Sequence, residues 1–196
     1  MKLPVFPLNG AILFPGTNLP LNIFEERYIN MIDYALANER FLGMIQKKDN
    51  GDFFDIGCYG KITNFTETED GRYQINLQGL SRFFLKNIIK NNFKFITINA
   101  KALKTENTIK DKITIKETLL LSFKKFLKIK KINLNISEFK NLDASNLAKI
   151  ICVISPLDYL TKQMLLEFNN SKEICETLLS VLEIEMQNLE NNIKIN

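Results

Sequence analysis

Histidine and tryptophan are both missing from the chain, and cysteine occurs only three times. Without histidine the chain has no Ser–His or Cys–His pair, and the commonest general base at neutral pH is absent. Cys58, Cys152 and Cys175 lie far apart and form no C-x-x-C pair, which argues against a structural zinc site. We therefore expect no metal site and no catalytic residue, and we interpret the cysteines as buried apolar side chains.

Nucleotide-binding motifs and long apolar runs are also missing. The sequence has no G-x-x-x-x-G-K-[ST] loop and no G-x-G-x-x-G, and Gly60-Lys61 is its sole Gly-Lys pair, so we expect no cofactor. No apolar run is long enough to span a membrane. Prolines and Asn9 interrupt the apolar N-terminal stretch, which does not fit a cleavable signal. The expected location is the cytoplasm.

Proline is scarce as well, but four of the five prolines fall within the first twenty residues. Proline fixes φ, removes a backbone donor and pushes the preceding residue toward an extended conformation, so this opening cannot be a helix. It predicts two extended pieces, residues 3–8 and 19–24, with a turn at Pro15-Gly16. A proline followed by glycine suits a type II turn, in which the glycine takes a positive φ.

The rest of the first half is rich in predicted strands. A helix is predicted over 25–37, where apolar residues form one stripe. Asp70-Gly71 lies between two strand-like runs, which is a strong hairpin signal. Tyr73, Ile75 and Leu77 alternate with polar residues, as on a strand with one buried face. The predicted strands after the helix are 41–46, 56–66, 73–80, 82–89 and 93–103.

The second half changes character near Lys104, beyond which there is no glycine. The polar segment 104–108 predicts a joint, and 109–130 predicts a long helix with Ile113, Leu120, Phe123 and Leu127 on its buried side. The sequence thus predicts an α+β fold with a β-rich subdomain over 1–104 and a helical bundle over 105–196. Further helices are predicted after an Asp143 cap, from Ser155-Pro156 to about 168, and from 171 onward.

Basic charge is concentrated in one run, Lys124–Lys131, within a chain of net charge +4. Such a run can bind nucleic acid or an acidic membrane. Lysine is abundant along the whole chain, however, and charge runs on helices are mostly solvated. We interpret the run as a solvated helix face and predict neither nucleic acid nor membrane as the main partner.

Several short motifs together resemble the N-terminal substrate-recognition domain of the Lon family of ATP-dependent proteases. The motifs follow one another in the family's order, and they are spread from Leu3 to Glu167, so the resemblance covers nearly the whole chain. They are Leu3-Pro-Val-Phe-Pro-Leu8, Phe14-Pro-Gly16, Leu19-Pro-Leu21, Ile56-Gly57, Lys61-Ile62, Asp70-Gly71, Gln78-Gly-Leu-Ser-Arg-Phe83 and Lys162-Gln163-Met-Leu-Leu-Glu167.

The resemblance implies a PUA-like barrel or sandwich with one helix, followed by a helical bundle. It also implies a non-catalytic module that binds unfolded or partner protein segments, with a protease as one candidate partner. The sequence ends at Asn196 without the family's ATPase and protease modules. In addition, its Phe24-Glu-Glu-Arg-Tyr28 is more similar to the Phe-Glu-Pro-Arg-Tyr of small stand-alone bacterial Lon-domain proteins than to full-length Lon. We therefore interpret the chain as a stand-alone form. RNA binding and a small-ligand pocket in the barrel are the alternatives.

Phe53 and Phe54 are the candidate protein-binding residues. They lie in a polar stretch between two predicted strands, where an exposed apolar patch could contact a partner. The alternative is that they anchor the core, since aromatic side chains are usually buried.

Overall fold

The computed structural model describes residues 1–104, 106 and 112–195. Most of the predicted joint at 104–108 and the first three residues of the predicted helix at 109–130 lie outside these residues. The strands are β1 (Lys2–Pro7), β2 (Asn18–Ile23), β3 (Phe41–Ile45), β4 (Ile56–Glu67), β5 (Tyr73–Ile89) and β6 (Ile96–Leu103). The helices are α1 (Glu26–Leu36), α2 (Lys112–Ile129), α3 (Ala144–Ile154), α4 (Tyr159–Glu167) and α5 (Ser171–Ile195), with a 3-10 turn at Ser137–Asn141.

The chain divides into two compact units. The β unit comprises Met1–Thr105 and Leu157–Glu167, and the helical unit comprises Glu106–Pro156 and Phe168–Asn196. This division differs from a single boundary after residue 104, because α4 returns to the β unit. The β unit therefore contains all the described strands together with α1 and α4, and the fold is α+β as predicted.

The strands form one mixed sheet in the order β2-β5-β4-β3-β1-β6. Among the described strands the β1–β3 pairing alone is parallel. β6 also pairs with β5, so the pairings of β1, β3, β4, β5 and β6 form a closed cycle. Two separate strands at 73–80 and 82–89 were expected, but β5 is continuous through Ser81. The reason is that β5 has partners along its whole length: β2 and β4 beside its first half, then β4 and β6 beside its second.

The prolines of the opening occupy positions that a sheet tolerates. β1 pairs with β6 through Lys2–Val5 and with β3 through Val5–Pro7, so the two ladders share only Val5. Among the described strands, Pro4 pairs with β6 alone and Pro7 with β3 alone. The N–H that each proline lacks therefore interrupts no pairing with a second strand. Gly16 has a φ of 85°, and the Thr17 N–H donates to the Phe14 carbonyl at 3.1 Å, which confirms the predicted turn.

The core of the β unit lies on the inner face of the sheet. Helix α1 covers part of it, with the Tyr28 and Phe6 rings 4.2 Å apart. This arrangement follows from the alternation of apolar residues along the strands, since successive side chains point to opposite faces. A central cluster of fully buried side chains consists of Leu3, Val5, Ile45, Phe83, Ile98 and Ala100.

The helical unit is built from α2, α3 and α5, which pack against one another. Phe123 and Leu127 are buried as predicted, whereas Ile113, expected on the same face, is 72% exposed. Asp143 caps α3 by accepting from the Asn146 N–H at 2.8 Å, which confirms the predicted cap. Ser155-Pro156 ends α3 but does not begin the next helix.

The start of α4 lies a few residues beyond Ser155-Pro156, at Tyr159. Asp158 caps this helix by accepting from the Thr161 N–H at 2.9 Å. The Ser-Pro pair imposes an extended conformation instead: Ser155 has a ψ of 143°, as expected for a residue that precedes proline. All three cysteines are buried thiols outside any disulfide, in agreement with the sequence-based expectation, and burial raises the pKa of Cys175 to about 12.

Candidate functional site

The motif residues in β5 form a buried polar anchor. Arg82 is only 2% exposed. Its Nη1 donates to the carbonyls of Leu166 at 3.2 Å and Glu167 at 3.0 Å, and its Nη2 donates to the Lys104 carbonyl at 3.2 Å. Burial lowers the pKa of Arg82 from its ordinary value, but a guanidinium stays charged in proteins. Arg82 therefore ties the last turn of α4 to the end of β6.

The Lys162-Gln163 motif holds the other side of α4 on the β unit. The Gln163 amide donates to the Ile56 carbonyl at 2.9 Å and accepts from the Gln46 amide at 3.1 Å. The Lys162 ammonium donates to the Gly10 carbonyl at 3.3 Å. Lysine and glutamine are rarely buried without such partners, and both are buried here. The motif thus positions α4.

Two further motif segments meet at Gly79. Its N–H donates to the Thr17 carbonyl at 2.8 Å, and its carbonyl accepts from Gly16 N–H at 2.9 Å. A Cβ at position 79 would lie 2.1 Å from the Phe14 carbonyl oxygen, so the close approach of the turn requires glycine. These motifs therefore build the scaffold, and the side chains available for a partner must be found elsewhere.

The predicted pair Phe53 and Phe54 lies on the β unit, and both rings are half-buried. Phe53 packs against the central core cluster and pairs with Lys47 in a short antiparallel bridge. The Lys47 ammonium lies 5.9 Å from the Phe53 ring centre, and the Lys48 ammonium lies 5.7 Å from that of Phe54. Each ring thus presents its remaining exposed surface beside a cation.

The loop that carries these rings is well ordered by its own hydrogen bonds. Gly51 turns the chain with a φ of 89°, and the Lys48 N–H donates to the Asp52 carbonyl at 2.7 Å. The Tyr159 hydroxyl of α4 donates to the Asp49 carboxylate, which raises the pKa of Tyr159. These bonds define the path of the loop and connect it to α4, which lowers the entropic cost of ordering it on binding.

A second apolar surface lies on the helical unit, and sequence reasoning missed it. At the end of α2, the Ile132 N–H donates to the Leu127 carbonyl at 2.9 Å and the Lys131 N–H to the Lys128 carbonyl at 3.2 Å. Lys131 has a φ of 55°. This pattern is a Schellman motif, which ends a helix and turns the chain away from its axis.

The segment after Lys131 and the last turns of α2 border a solvent-open groove of about 470 Å³, which we call the α2 groove. Its apolar lining consists of Leu121, Leu127, Ile132, Leu134 and Ile136. Three lysines from the basic run also line it: Lys124, Lys125 and Lys128. The run that the sequence presents as a solvated helix face is therefore partly the border of an apolar groove.

A neighbouring cavity of about 610 Å³ lies between α2 and α5 and shares Lys125 and Lys128 with the α2 groove. Its lining is mixed in charge, because Glu183 contributes to it. Nearby, the Lys130 ammonium and the Glu185 carboxylate form an ion pair at 3.6 Å. The two cavities therefore differ in electrostatic character although they share lysines.

Across residues 1–104, 106 and 112–195, no group of three or more Cys, Asp or Glu side chains is arranged to hold a metal ion. None of the helices described has both the length and the apolar character needed to cross a membrane.

A family model for the ATP-dependent protease La (LON) substrate-binding domain matches residues 2–183. The chain belongs to this family. Among its relatives is the Lon protease of Buchnera aphidicola subsp. Acyrthosiphon pisum, 27% identical over 201 residues that cover 97% of this chain and 26% of that protein. The chain thus spans about a quarter of the length of the curated Lon proteases it matches.

Solved structures of Lon N-terminal domains share the fold. The N-terminal domain of Mycobacterium avium complex Lon protease has a TM-score of 0.75 at 17% identity, with 93% of this chain and 98% of that chain covered. A Lon N-terminal domain protein from Xanthomonas campestris has a TM-score of 0.70 at 19% identity, with 92% and 98% covered. In this chain the motif residues Arg82 and Gln163 join α4 to the β unit through the hydrogen bonds described above.

Proposed function

We propose that this Lon-type domain is a non-catalytic module that binds protein segments with exposed apolar side chains. Its membership in the LON substrate-binding domain family carries the proposal. The two apolar surfaces described above, one on each unit, support it. We further propose that the protein acts in the cytoplasm, and that the closed cycle of strand pairings forms a PUA-like barrel.

We assign the contact on the β unit to Phe53 and Phe54. An unfolded segment can add its own apolar side chains to the exposed part of each ring, while the adjacent lysines keep the surface hydrated in the absence of a partner. Phe53 also packs against the central cluster, so its role is partly structural. Phe54 is therefore the sharper probe of binding, because its replacement costs the core less.

The proposal is tested with reduced, carboxymethylated lactalbumin, a permanently unfolded protein, in a fluorescence-anisotropy titration. We expect saturable binding to the unfolded form and none to native, disulfide-bonded lactalbumin. Phe54→Ser should weaken binding severalfold with little change in thermal stability. Phe24→Ser is the matched control, because Phe24 is exposed and lies outside the 47–54 loop.

Two results would contradict the proposal. Equal affinity for native and unfolded lactalbumin would show that exposed apolar segments are not what the domain recognises. Absence of binding to either form, at protein concentrations up to about 1 mM, corresponding to a binding free energy of about −4 kcal/mol, would remove protein-segment binding altogether. Tight, steeply salt-dependent binding of a structured RNA would instead favour the RNA-binding alternative.

A further inference from the structure

We propose that the α2 groove binds an apolar protein segment that is flanked by acidic residues. This inference rests on the proposed function and specifies its ligand. It follows from three properties of the groove: its exposed apolar lining, its shape, and the sign of the charge around it.

The apolar lining is accessible and is formed by two separate segments. Leu121 projects from α2 and is 62% exposed, while Ile132 and Leu134 come from the segment after the Schellman turn and are about 40% exposed. Leu127 is buried beneath them. Binding of a partner over an exposed apolar cluster of this kind is favourable, because it removes apolar surface from water.

The concave shape favours a protein segment over a membrane surface. A helix that lies on a bilayer presents its apolar side chains as one convex face. Here the apolar side chains line a solvent-open groove of about 470 Å³ between α2 and the returning chain, a volume within the range of ordinary ligand sites. A groove of this size can accept apolar side chains of a protein segment, whereas a bilayer binds a convex apolar face.

The positive charge around the groove favours acidic residues on either side of the bound apolar segment. Lys124, Lys125 and Lys128 line it, and no acidic residue is among the lining residues that the structure describes. The ion pairs found within the described residues involve none of these three lysines. Their charges are therefore available to Asp or Glu side chains on either side of an inserted apolar core, and complementary charge both speeds encounter and fixes register.

The lining also disfavours single-stranded nucleic acid as the occupant. Sites of that kind combine basic charge with aromatic rings on which bases stack. Within the described part of the chain, the residues that line the α2 groove include leucine, isoleucine and asparagine but no aromatic side chain. Lysine charge alone would give weak, nonspecific attraction, whereas the leucines and isoleucines match an apolar segment.

The test uses three fluorescent peptides with the same Leu-Ile-Leu-Ile core and with glutamate, glutamine or lysine flanks. We expect the glutamate-flanked peptide to bind about tenfold more tightly than the glutamine-flanked one, since exposed ion pairs each contribute a modest amount. The lysine-flanked peptide should bind most weakly. The advantage of the glutamate flanks should shrink as NaCl is raised from about 50 mM to about 500 mM, because salt screens exposed charges.

Variants of the full chain locate the site. Leu121→Asp should abolish binding of the glutamate-flanked peptide, and the combined Lys124→Glu, Lys125→Glu and Lys128→Glu variant should reverse the flank preference. The matched control for Leu121→Asp is Ile184→Asp, an exposed apolar residue (56%) on α5 that lines neither cavity. The control for the charge change is Lys61→Glu, Lys86→Glu and Lys101→Glu, three exposed lysines of the β unit.

The outcomes separate this inference from the proposed function. If the chain binds unfolded lactalbumin but Leu121→Asp and Ile184→Asp affect peptide binding equally, the groove assignment is wrong and the general function stands. If neither lactalbumin nor any peptide binds, both fail. Binding of anionic phosphatidylserine vesicles, or of single-stranded RNA, that depends on Leu121 while the glutamate-flanked peptide does not bind would overturn the assignment to a protein segment.

Discussion

Replacement of Arg82 by methionine should detach α4 from the β unit. The guanidinium donates hydrogen bonds to the carbonyls of Lys104, Leu166 and Glu167 at 3.0–3.2 Å. Bonds to a charged group are each worth about 1.5–3 kcal/mol. Since some of the freed carbonyls would regain water, we expect a total loss of about 3–5 kcal/mol, a large part of the stability of an ordinary domain.

Hydrogen exchange measured by mass spectrometry is the assay, because the chain has two units and a single unfolding midpoint would mix them. Amides of Tyr159–Glu167 should exchange at least about 100-fold faster in the Arg82→Met variant, the equivalent of about 3 kcal/mol. Arg82→Lys should lie between the two, because an ammonium retains the charge but not the planar fork of donors.

The control is Arg72→Met, which removes an arginine that is half exposed and pairs with Asp70 on the β4–β5 hairpin. An exposed pair of this kind contributes about 0–1 kcal/mol, so α4 exchange should not change. The reasoning is refuted if Arg82→Met leaves α4 protection within about threefold of the wild type, or if Arg72→Met has an equal effect.

Three further changes follow from the structure. Gly79→Ala should lower the free energy of unfolding of the β unit by about 3 kcal/mol, because its Cβ would meet the Phe14 carbonyl oxygen at 2.1 Å; urea denaturation measures the loss. Lys131→Gly should stabilise the helical unit by about 0.5–1 kcal/mol in the same assay, because Lys131 has a positive φ that glycine adopts without strain. The hydrogen bond from the Thr161 hydroxyl lowers the pKa of Asp158. The Asp158 cap should therefore stabilise α4 fully at pH values above the ordinary carboxyl pKa, and this stabilisation should be lost as the pH falls through the lower pKa of the folded state. Hydrogen exchange of the α4 amides, measured as a function of pH, shows the loss.

Each of these predictions has a control. Gly10→Ala adds a Cβ in open space and strains only the backbone, so a cost equal to that of Gly79→Ala would contradict the steric argument. Asn133→Gly changes a nearby residue without a positive φ, and should not stabilise. Asp158→Asn keeps a capping side chain but cannot ionise, so an unchanged acid response in this variant would show that another group is responsible.

Much of the β unit could be predicted from the sequence because its signals are local. The prolines, the Pro15-Gly16 turn and the Asp70-Gly71 hairpin each restrict the backbone over two to four residues, and the strands lie where these restrictions and the apolar alternation placed them. The continuity of β5 was not predictable in this way. It depends on β2, β4 and β6, whose contacts come from distant parts of the chain.

The candidate binding surfaces could be predicted only in part from the sequence. Phe53 and Phe54 stand out as aromatic residues in a polar stretch, and the structure shows them half-buried beside two lysines. The α2 groove had no comparable signal, because the residue that turns the chain there is Lys131, where a glycine would have marked the turn.

The sequence alone determined the class of fold, the order of its elements and the Lon-type family, because composition, turn residues and short motifs act locally and are read along the chain. Tertiary structure alone decided which unit holds α4, what Arg82 binds, and that three lysines border an apolar groove. These features depend on groups that are far apart in sequence: Arg82 and Leu166 are separated by 84 positions. The burial of a charged side chain is stable only when such distant partners satisfy it, and that pairing is set by the folded chain.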